Sequence, residues 1–371
     1  MPHPPLDLKP EASLAAASLQ VPVPAIEDAD RYSRQILFPG IGADGQKALA
    51  AAHVAIAGCG ATGAAAASLL ARSGVGTLTL IDRDFVEPSN LQRQVLFDEA
   101  DALEALPKAE AARRKIAAFN SGVTVRAHVT DLVPANIAEL FSDADLILDA
   151  TDNFETRYLV NDYAVEQGKP WIYAAAIGSY AATMNVLPRT EGPASWEPTA
   201  CLACLFPKPP GGPVETCDTA GILSTAVNFA ASIQATEALK LLTGQAAKMR
   251  RTLLSFDLWS SERSEIQAGK PREGCAVCSE REFTHLAGEG RPHITLCGRN
   301  SVQIHEHHRP VDFAAMRDRL APHGTVRFND LLLRFERGPH IITLFGDGRA
   351  IIQGTTDTMV ARTLYARFIG S

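Results

Sequence analysis

The feature that most constrains this chain is a glycine turn between two apolar runs. The first run, Val54–Ala57, is typical of a buried parallel strand, and the second, Thr77–Ile81, ends at an acidic residue, Asp82. Between them the alanine-rich sequence predicts a helix from Ala61 to about Ser73. The turn before this helix has the spacing G-x-G-x-x-G and contains Gly58, Gly60 and Gly63, with Ala61 at its fourth position.

This order of strand, glycine turn, helix, strand and acidic end is the fingerprint of a dinucleotide-binding fold. Glycine lets the turn close tightly and lets backbone N–H groups approach phosphate oxygens, while the helix N-terminus adds a favourable field. Asp82 is placed to accept a hydrogen bond from a ribose hydroxyl. The alternative is a glycine turn that only packs a helix on a sheet. We predict an α/β fold with a Rossmann-like, doubly wound, mostly parallel sheet.

A polar, arginine-bearing segment follows the second strand. It starts with Asp82 and Asp84 and continues through Asn90 to Arg93. A dehydrogenase has no obvious need for such a segment. An enzyme that attacks the α-phosphate of ATP does need it, because fixed cations stabilise the charge that builds on the phosphoryl oxygens. The segment therefore favours nucleotidyl transfer over the alternative of NAD-dependent oxidoreduction.

Length and charge set the class of protein. The chain has 371 residues and a net charge of −7. At about 150 residues per domain, this length predicts about two domains. The acidic charge argues against binding to nucleic acid or to an anionic membrane surface, and no apolar run reaches the ~18 residues of a membrane span. Because the N-terminus also lacks the cationic stretch of a signal peptide, we expect a cytoplasmic protein.

Two C-x-x-C pairs predict a metal site. Four thiolates match a closed, tetrahedral structural zinc site, whereas a thioredoxin-like redox centre needs one pair at a helix start. In a reducing cytosol, metal binding is expected rather than disulfide formation. The predicted zinc ligands are Cys201, Cys204, Cys275 and Cys278.

The composition divides the chain into three regions. Residues 1–28 are rich in Pro and Ala without a periodic apolar face, which predicts a flexible tail. Residues 29–285 hold the glycine turn and both cysteine pairs, and we predict one α/β unit with a zinc-tied β region. Residues 290–371 alternate short apolar runs with two helical stretches, which predicts a small C-terminal α+β appendage.

Two charged residues are candidates for the nucleotide site, and each has a structural alternative. Lys108 follows Pro107 at a predicted helix start, where a cation opposes the helix macrodipole, so an anionic partner would explain it. The alternative is a surface lysine. Asp152 follows the predicted strand Leu146–Ala150 at the carboxyl end of the sheet, where it could bind magnesium. Alternatively, it could cap the helix Phe154–Gln167.

Cys217 is a candidate for a reactive thiol. It precedes a predicted long helix, about Ala220–Leu242, and thiolate is favoured at a helix N-terminus. The loop before it, Phe206–Glu215, is rich in Pro and Gly, and a thiol beside a movable loop suits acyl or sulfur transfer. The alternative is an inert cysteine near the helix start.

Taken in order, these motifs resemble the MoeB/ThiF family of sulfur-carrier-protein adenylyltransferases, which are relatives of the ubiquitin-activating enzymes. The resemblance runs from Arg31 to about Cys278. Its motifs are R-Y-S-R-Q, S-N-L-Q-R-Q, P-K, D-A-T-D-N-F-E-T-R and T-C-D-T-A-G. This chain departs from the family at Ala61, where the family usually has a further glycine.

The resemblance implies an activity. The enzyme would use ATP to adenylate the C-terminal glycine carboxylate of a small ubiquitin-like sulfur carrier protein of the ThiS or MoaD type. Pyrophosphate is released, and a sulfur donor protein then supplies the sulfur of a thiocarboxylate for thiamine or molybdopterin-type cofactor biosynthesis. The family also implies ATP, magnesium and zinc as ligands, and a homodimer. A carrier-binding scaffold without catalysis is the remaining alternative.

The resemblance assigns roles to single residues as well. Asp82 would hold the ribose, and Asp84 belongs to the same nucleotide-binding set. Asp152 would hold magnesium, and Arg34 would reach the site of the partner subunit. Cys217 would take part in sulfur chemistry, as it does in some members of the family but not in others. The phosphates would be contacted by Asn90, Arg93 and Lys108.

Overall fold

The computed structural model describes residues 28–190, 196–209, 217–288, 294–297, 301–304 and 310–370. The predicted tail, residues 1–28, lies outside this part of the chain except for its last residue, Asp28, which lies in helix α1.

An eight-stranded sheet forms the larger part of the molecule. Five of its strands are parallel neighbours, and the other three extend it at one edge in antiparallel pairing. This confirms the predicted α/β class with a mostly parallel sheet. In chain order the strands are β1 (His53–Ala57), β2 (Thr77–Ile81), β3 (Thr124–His128), β4 (Leu146–Asp149), β5 (Trp171–Ile177), β6 (Tyr180–Val186), β7 (Thr252–Asp257) and β8 (Glu262–Gln267). In space their order is β3-β2-β1-β4-β5-β6-β7-β8.

Helices cover both faces of this sheet, because successive residues of its central strands point to opposite sides. In β1, Val54 and Ile56 pack into the core on one face, whereas Ala55 and Ala57 pack into the core on the other. The helices of this part are α1 (Asp28–Arg31), α2 (Ser33–Ile36), α3 (Gly42–Ala51), α4 (Ala61–Arg72), α5 (Glu99–Leu103), α6 (Lys108–Phe119), α7 (Ile137–Phe141), α8 (Phe154–Gln167), α9 (Leu202–Leu205), α10 (Cys217–Ala220) and α11 (Ser224–Leu242). The first face holds α4, α6 and α11, and the second holds α8.

The glycine turn between β1 and α4 has the predicted form. Gly58 has a φ of +89°, and a Cβ atom there would lie 2.7 Å from the carbonyl oxygen of Ala150. A Cβ atom on Gly63 would lie 2.0 Å from the carbonyl oxygen of Gly58. Both positions therefore require glycine so that α4 can pack against the turn and against the end of β4.

The predicted start of the long helix after Cys217 is wrong, whereas its predicted end at Leu242 is confirmed. The long helix α11 begins at Ser224, and Gly221, with a φ of +73°, separates it from the short helix α10. Cys217 thus lies in the short helix α10 and not directly before the long helix. Glycine can adopt the left-handed conformation that ends a helix, and this explains the break.

The C-terminal part of the chain forms a separate six-stranded antiparallel sheet with two helices, which confirms the α+β appendage. It has a hydrophobic core of its own. We call its described residues, 294–297, 301–304 and 310–370, the C-terminal unit. Its strands are β9 (Ile294–Cys297), β10 (Ser301–Ile304), β11 (Thr325–Phe328), β12 (Leu332–Arg337), β13 (His340–Phe345) and β14 (Ala350–Gln353), and its helices are α12 (Phe313–Leu320) and α13 (Thr358–Phe368). Within all the described ranges, each helix is too short or too polar to cross a membrane.

Candidate nucleotide and metal sites

The carboxylate of Asp82 is tied to the glycine turn. Its Oδ2 accepts a hydrogen bond from the backbone N–H of Cys59 at 2.6 Å, and its Oδ1 accepts one from the N–H of Asp84 at 2.7 Å. Burial raises the pKa of Asp82, and the neighbouring Asp84 raises it further, although Lys108 opposes the shift. The acid at the end of β2 is therefore fixed beside the turn, where the fingerprint places a ribose.

Lys108 is buried and faces this pair of acids. It begins α6, as predicted, but its side chain is only 4% exposed, so it is not a surface lysine. Its Nζ donates to Oδ2 of Asp84 at 3.0 Å. Burial alone would lower the pKa of Lys108, but Asp84 and Asp82 outweigh it and raise the pKa above its ordinary value. Sequence reasoning placed Asp84 in the nucleotide-binding set but did not identify it as the partner of Lys108. This internal partner keeps a cation at the helix start.

Gly60 and Ala61 leave the mouth of the turn open. A Cβ atom on Gly60 would have its nearest neighbour, Nε2 of Gln94, at 3.9 Å, so packing within the protein does not require glycine there. A phosphate that approaches the backbone would require it. Ala61 is the first residue of α4 and is partly exposed. The turn therefore fits a phosphate group at the N-terminus of α4.

Asn90 and Arg93 differ in exposure. Asn90 is completely buried, and its Oδ1 accepts the backbone N–H of Glu87 at 3.1 Å in a capping box around the short 3-10 turn Pro88–Asn90. Arg93 is half-buried, and its Nη1 donates to the carbonyl oxygen of Ser89 at 2.8 Å. The structure gives Asn90 an internal role, and the contacts of both residues with phosphate stay predictions.

Hydrogen bonds with buried side chains hold the loop that contains Asp152. Asp149, at the end of β4, is fully buried and accepts hydrogen bonds from Nε of Arg157 at 2.8 Å and from the N–H of Thr151 at 2.9 Å. Arg157 also donates through Nη2 to the carbonyl oxygen of Thr151 at 2.6 Å. Gln234 of α11 donates to the carbonyl oxygen of Asp149 at 2.8 Å. These contacts fix the backbone on the N-terminal side of Asp152.

Asp152 does not cap α8, which was the structural role that we considered for it. The residue that caps α8 is Asn153, whose side chain accepts the N–H of Thr156 at 2.8 Å, and Asp152 is exposed. The capping alternative for Asp152 is therefore wrong. Its carboxylate is close enough to Lys108 to contribute to the raised pKa of that lysine. An exposed carboxylate near the buried Lys108 fits the preference of magnesium for oxygen ligands.

Arg34 lies in α2, on the surface. It is exposed, whereas its neighbour Tyr32 is 7% exposed and accepts a hydrogen bond from Nδ2 of Asn120 at 2.8 Å. The hydrogen bond between Tyr32 and Asn120 therefore fixes the position of the short segment that contains Arg34. Two apolar side chains next to it are strongly exposed, Leu37 at 72% and Phe38 at 61%.

The two C-x-x-C pairs converge, as predicted, on the side of the sheet that holds α8. The Sγ atom of Cys201 lies 3.7 Å from those of Cys204 and Cys275, and the Sγ atoms of Cys204 and Cys278 lie 3.3 Å apart. All four atoms lie within 4.8 Å of one another. A tetrahedron with zinc–sulfur bonds of about 2.3 Å has sulfur–sulfur edges of about 3.8 Å. The cluster therefore fits a structural zinc ion.

Neighbouring groups favour thiolate at Cys204 and Cys275, where they lower the pKa, and oppose it at Cys201 and Cys278, where the pKa is raised. The thiols of Cys201 and Cys278 and the backbone N–H of Arg272 lower the pKa of Cys204 to about 2. Thiolate is the form of cysteine that binds zinc. Helix α8 holds the first pair in place, since Oδ1 of its Asn161 accepts the N–H of Leu202 at 2.9 Å. The side chain of Cys217 lies outside the described part of the chain, so its reactivity stays a prediction.

Sequence reasoning missed three residues that shape the site, namely Arg157, Gln234 and Asp131. Arg157 stands in the D-A-T-D-N-F-E-T-R motif, eight positions after Asp149, so its spacing could have revealed it. Gln234 and Asp131 lie far from the motifs in the chain, and no pattern in the sequence connects them to the site. Nη1 of Arg83 donates to Oδ1 of Asp131 at 2.9 Å.

The comparisons with known proteins agree with one another on the family that the chain resembles. The model of the ThiF family matches residues 32–277. The chain is 45% identical over 344 residues to the sulfur carrier protein ThiS adenylyltransferase of Bacillus subtilis, a match that covers 92% of this chain and 99% of the relative. It is 39% identical over 258 residues to the sulfur carrier protein adenylyltransferase of Thermus thermophilus, with coverage of 68% and 92%.

Two further comparisons cover a smaller share of the matched protein. The probable adenylyltransferase/sulfurtransferase MoeZ of Mycobacterium tuberculosis is 42% identical over 239 residues, which cover 62% of this chain but 58% of MoeZ. Among solved structures, the biosynthetic enzyme MccB in complex with N-formylated MccA aligns with a TM-score of 0.58 and 24% identity. That alignment covers 68% of this chain and 76% of MccB and reports on the fold alone.

Proposed function

Because this chain belongs to the ThiF family, we propose that it adenylates the C-terminal glycine carboxylate of a ubiquitin-like sulfur carrier protein, with ATP as substrate and pyrophosphate as product. The observation that carries the proposal is the buried Lys108, held beside Asp84 and Asp82 at the open glycine turn. This geometry supplies a fixed cation and a ribose acceptor at one end of the sheet. Family membership favours this function over NAD-dependent oxidoreduction.

The proposed reaction is a displacement at the α-phosphorus of ATP. An oxygen of the carrier carboxylate forms a bond to that phosphorus, and the bond to the bridging oxygen of the β-phosphate breaks. A carboxylate attacks without a general base, so the protein has only to position the reactants and stabilise the charge that develops. In this proposal Asp82 holds the ribose, and Lys108 and Arg93 stabilise the phosphoryl oxygens. Asn90 completes the phosphate-binding set.

Magnesium would be held by Asp152 in this proposal. The ion would neutralise charge on the phosphate oxygens when it is bound. The exposure of Asp152 and the capping of α8 by Asn153 leave the carboxylate free for such a ligand. The Asp149–Arg157 pair positions the loop.

We propose a ThiS-type carrier as the partner. The relative that matches 92% of this chain, including most of the C-terminal unit, bears the name of a ThiS adenylyltransferase. A MoaD-type carrier is the alternative within the same chemistry. A sulfur donor protein then acts on the acyl-adenylate, and Cys217, in α10, is the proposed thiol for that later step.

We further propose a homodimer in which Arg34 reaches the site of the partner subunit. The exposed Leu37 and Phe38 beside it support an interface on this surface, because large apolar side chains seldom lie exposed next to one another without a partner. In the same proposal residues 29–285 are the adenylation domain, with one structural zinc ion at the four cysteines, and residues 290–371 are a second domain.

The test is exchange of labelled pyrophosphate into ATP by the purified protein, with a ThiS-type and a MoaD-type carrier in separate reactions. We expect magnesium-dependent exchange with one carrier and none without a carrier. A carrier truncated by its last glycine is the matched control. Tight binding of a carrier without any exchange would instead identify a scaffold and refute the proposal.

A further inference from the structure

The C-terminal unit packs directly on the segment that carries the nucleotide-site residues. The aromatic ring of Phe85, three residues after Asp82, is 5% exposed and packs in an apolar cluster with Leu332, Phe345 and Ile351 of the C-terminal unit. The same short segment contacts the rest of the site, because the backbone N–H of Lys108 donates to the carbonyl oxygen of Asp84 at 2.8 Å.

A buried charge cluster forms a second contact. Asp131 receives hydrogen bonds on both carboxylate oxygens, from Arg83 at 2.9 Å and from Nη1 of Arg349 of the C-terminal unit at 3.4 Å. Nε2 of Gln303, also in the C-terminal unit, donates to the same carboxylate. The side chain of Arg349 is 1% exposed and that of Asp131 is 9% exposed. Arg83 directly follows Asp82, so this cluster joins the C-terminal unit to the backbone of the ribose acid.

A third contact lies further along the segment. Nε2 of Gln353 in β14 donates to Oε1 of Glu87 at 3.2 Å. Glu87 starts the capping box of the short 3-10 turn that leads to Arg93. The C-terminal unit therefore contacts the segment directly at residues 85 and 87, and at residue 83 through Asp131. All three positions lie between the proposed ribose acid and the proposed phosphate ligands.

From these three contacts we infer that the C-terminal unit positions the segment Asp82–Arg93 for ATP and is a structural part of the nucleotide site. Leu332 and Gln353 are positioning residues, since they contact the segment and not the nucleotide. Arg349 is a positioning residue that acts on the segment through Asp131. Without these contacts the segment would sample other conformations. ATP would then bind more weakly, because part of its binding free energy would be spent on ordering the segment. This inference rests on the proposed nucleotide site.

Two neighbouring leucines of β12 provide a matched test. Leu332 packs on Phe85, whereas Leu333, 0% exposed, packs in the core of the C-terminal unit on the other face of the strand. For Leu332→Ala we expect the Kd for ATP and the KM for ATP in pyrophosphate exchange to rise about tenfold, with kcat within about twofold. For Leu333→Ala we expect a lower Tm but an unchanged Kd for ATP at a temperature where both variants are folded.

An introduced negative charge tests the third contact without making a cavity. Gln353→Glu places two carboxylates next to each other at Glu87 and should raise the Kd for ATP, and the added change Glu87→Gln should restore it by re-forming the pair in the opposite sense. A merely structural role of these residues would not produce that rescue. Equal Kd values for ATP in the wild type, Leu332→Ala and Gln353→Glu would overturn the inference, as would a rise in Leu333→Ala as large as in Leu332→Ala.

The Asp82→Ala variant separates this inference from the proposed site. If Asp82→Ala binds ATP as well as the wild type, the assignment of the nucleotide site is wrong and the inference is wrong with it. If Asp82→Ala loses ATP while Leu332→Ala and Gln353→Glu keep it, the site stands and only the inference fails. Binding of a fluorescent ATP analogue to the full-length protein measures all of these variants in the same way.

Discussion

Arg157 reaches back along α8 and donates through Nε to the buried carboxylate of Asp149 at 2.8 Å, which closes the loop that presents Asp152. The side chain of Asp149 is 0% exposed and that of Arg157 is 6% exposed. Removal of one partner from a buried ion pair leaves an uncompensated charge in the interior and costs about 3–5 kcal/mol.

We therefore expect Arg157→Met to lower the free energy of unfolding by about 3–5 kcal/mol, measured by urea denaturation. The control is Arg113→Met, which breaks a surface pair with Glu110 and should cost less than about 1 kcal/mol. The double variant Asp149→Asn/Arg157→Met should recover part of the loss. A stability of Arg157→Met equal to that of the control would show that the pair does not hold the loop.

Asp152→Ala should depress carrier-dependent pyrophosphate exchange by about 100-fold or more, since the magnesium ligand is lost while the fold is kept. The adjacent Asn153→Ala is a matched control. It removes the cap of α8 and should cost about 1 kcal/mol of stability but keep exchange. Near-normal exchange by a folded Asp152→Ala protein would exclude this residue as the ligand.

The purified protein should contain one zinc ion per subunit, measured by elemental analysis. Cys204→Ser should lose it and lower the Tm, because a structural zinc site contributes directly to folding. Cys59→Ala removes a buried cysteine outside the cluster and should keep the metal. Wild-type protein without zinc, prepared in the absence of chelators, would contradict the assignment.

Cys217→Ala should leave pyrophosphate exchange unchanged and impair only the later transfer of sulfur. Attack of a carboxylate on the α-phosphorus uses no thiol, and a thiolate can act only on the acyl-adenylate that results. Exchange and thiocarboxylate formation are measured in parallel, the latter by mass spectrometry of the carrier. Loss of exchange in a folded Cys217→Ala protein would reverse this order of events.

Arg34→Ala and Asp152→Ala should complement each other in mixed dimers if Arg34 acts across the interface. One site of a mixed dimer then has both intact residues, and the other has neither. At equal amounts about half of the dimers are mixed, so about a quarter of the wild-type activity should return after subunit exchange. If Arg34 acts within its own subunit, every site keeps one lesion. Verified exchange of subunits without recovery of activity would rule out the shared site.

The sequence determined those parts of the molecule that depend on local order. The glycine spacing at Gly58 and Gly63, the start of α6 at Lys108 and the two cysteine pairs could be predicted, because turn geometry, helix starts and metal ligation each need particular residue types at short spacing. The family followed from the order of these motifs. Local rules also explain the error at α11, where Gly221 interrupts a stretch with helical composition.

Only the tertiary structure decided which groups meet across long stretches of chain. Asp84 became the partner of Lys108, Asn153 rather than Asp152 became the cap of α8, and Arg349 reached Asp131 from the C-terminal unit. Such pairs are selected by packing and by the cost of leaving a charge buried without a partner, and neither depends on spacing in the sequence. For the same physical reason, no local pattern in the sequence could predict that the C-terminal unit packs against the segment Asp82–Arg93.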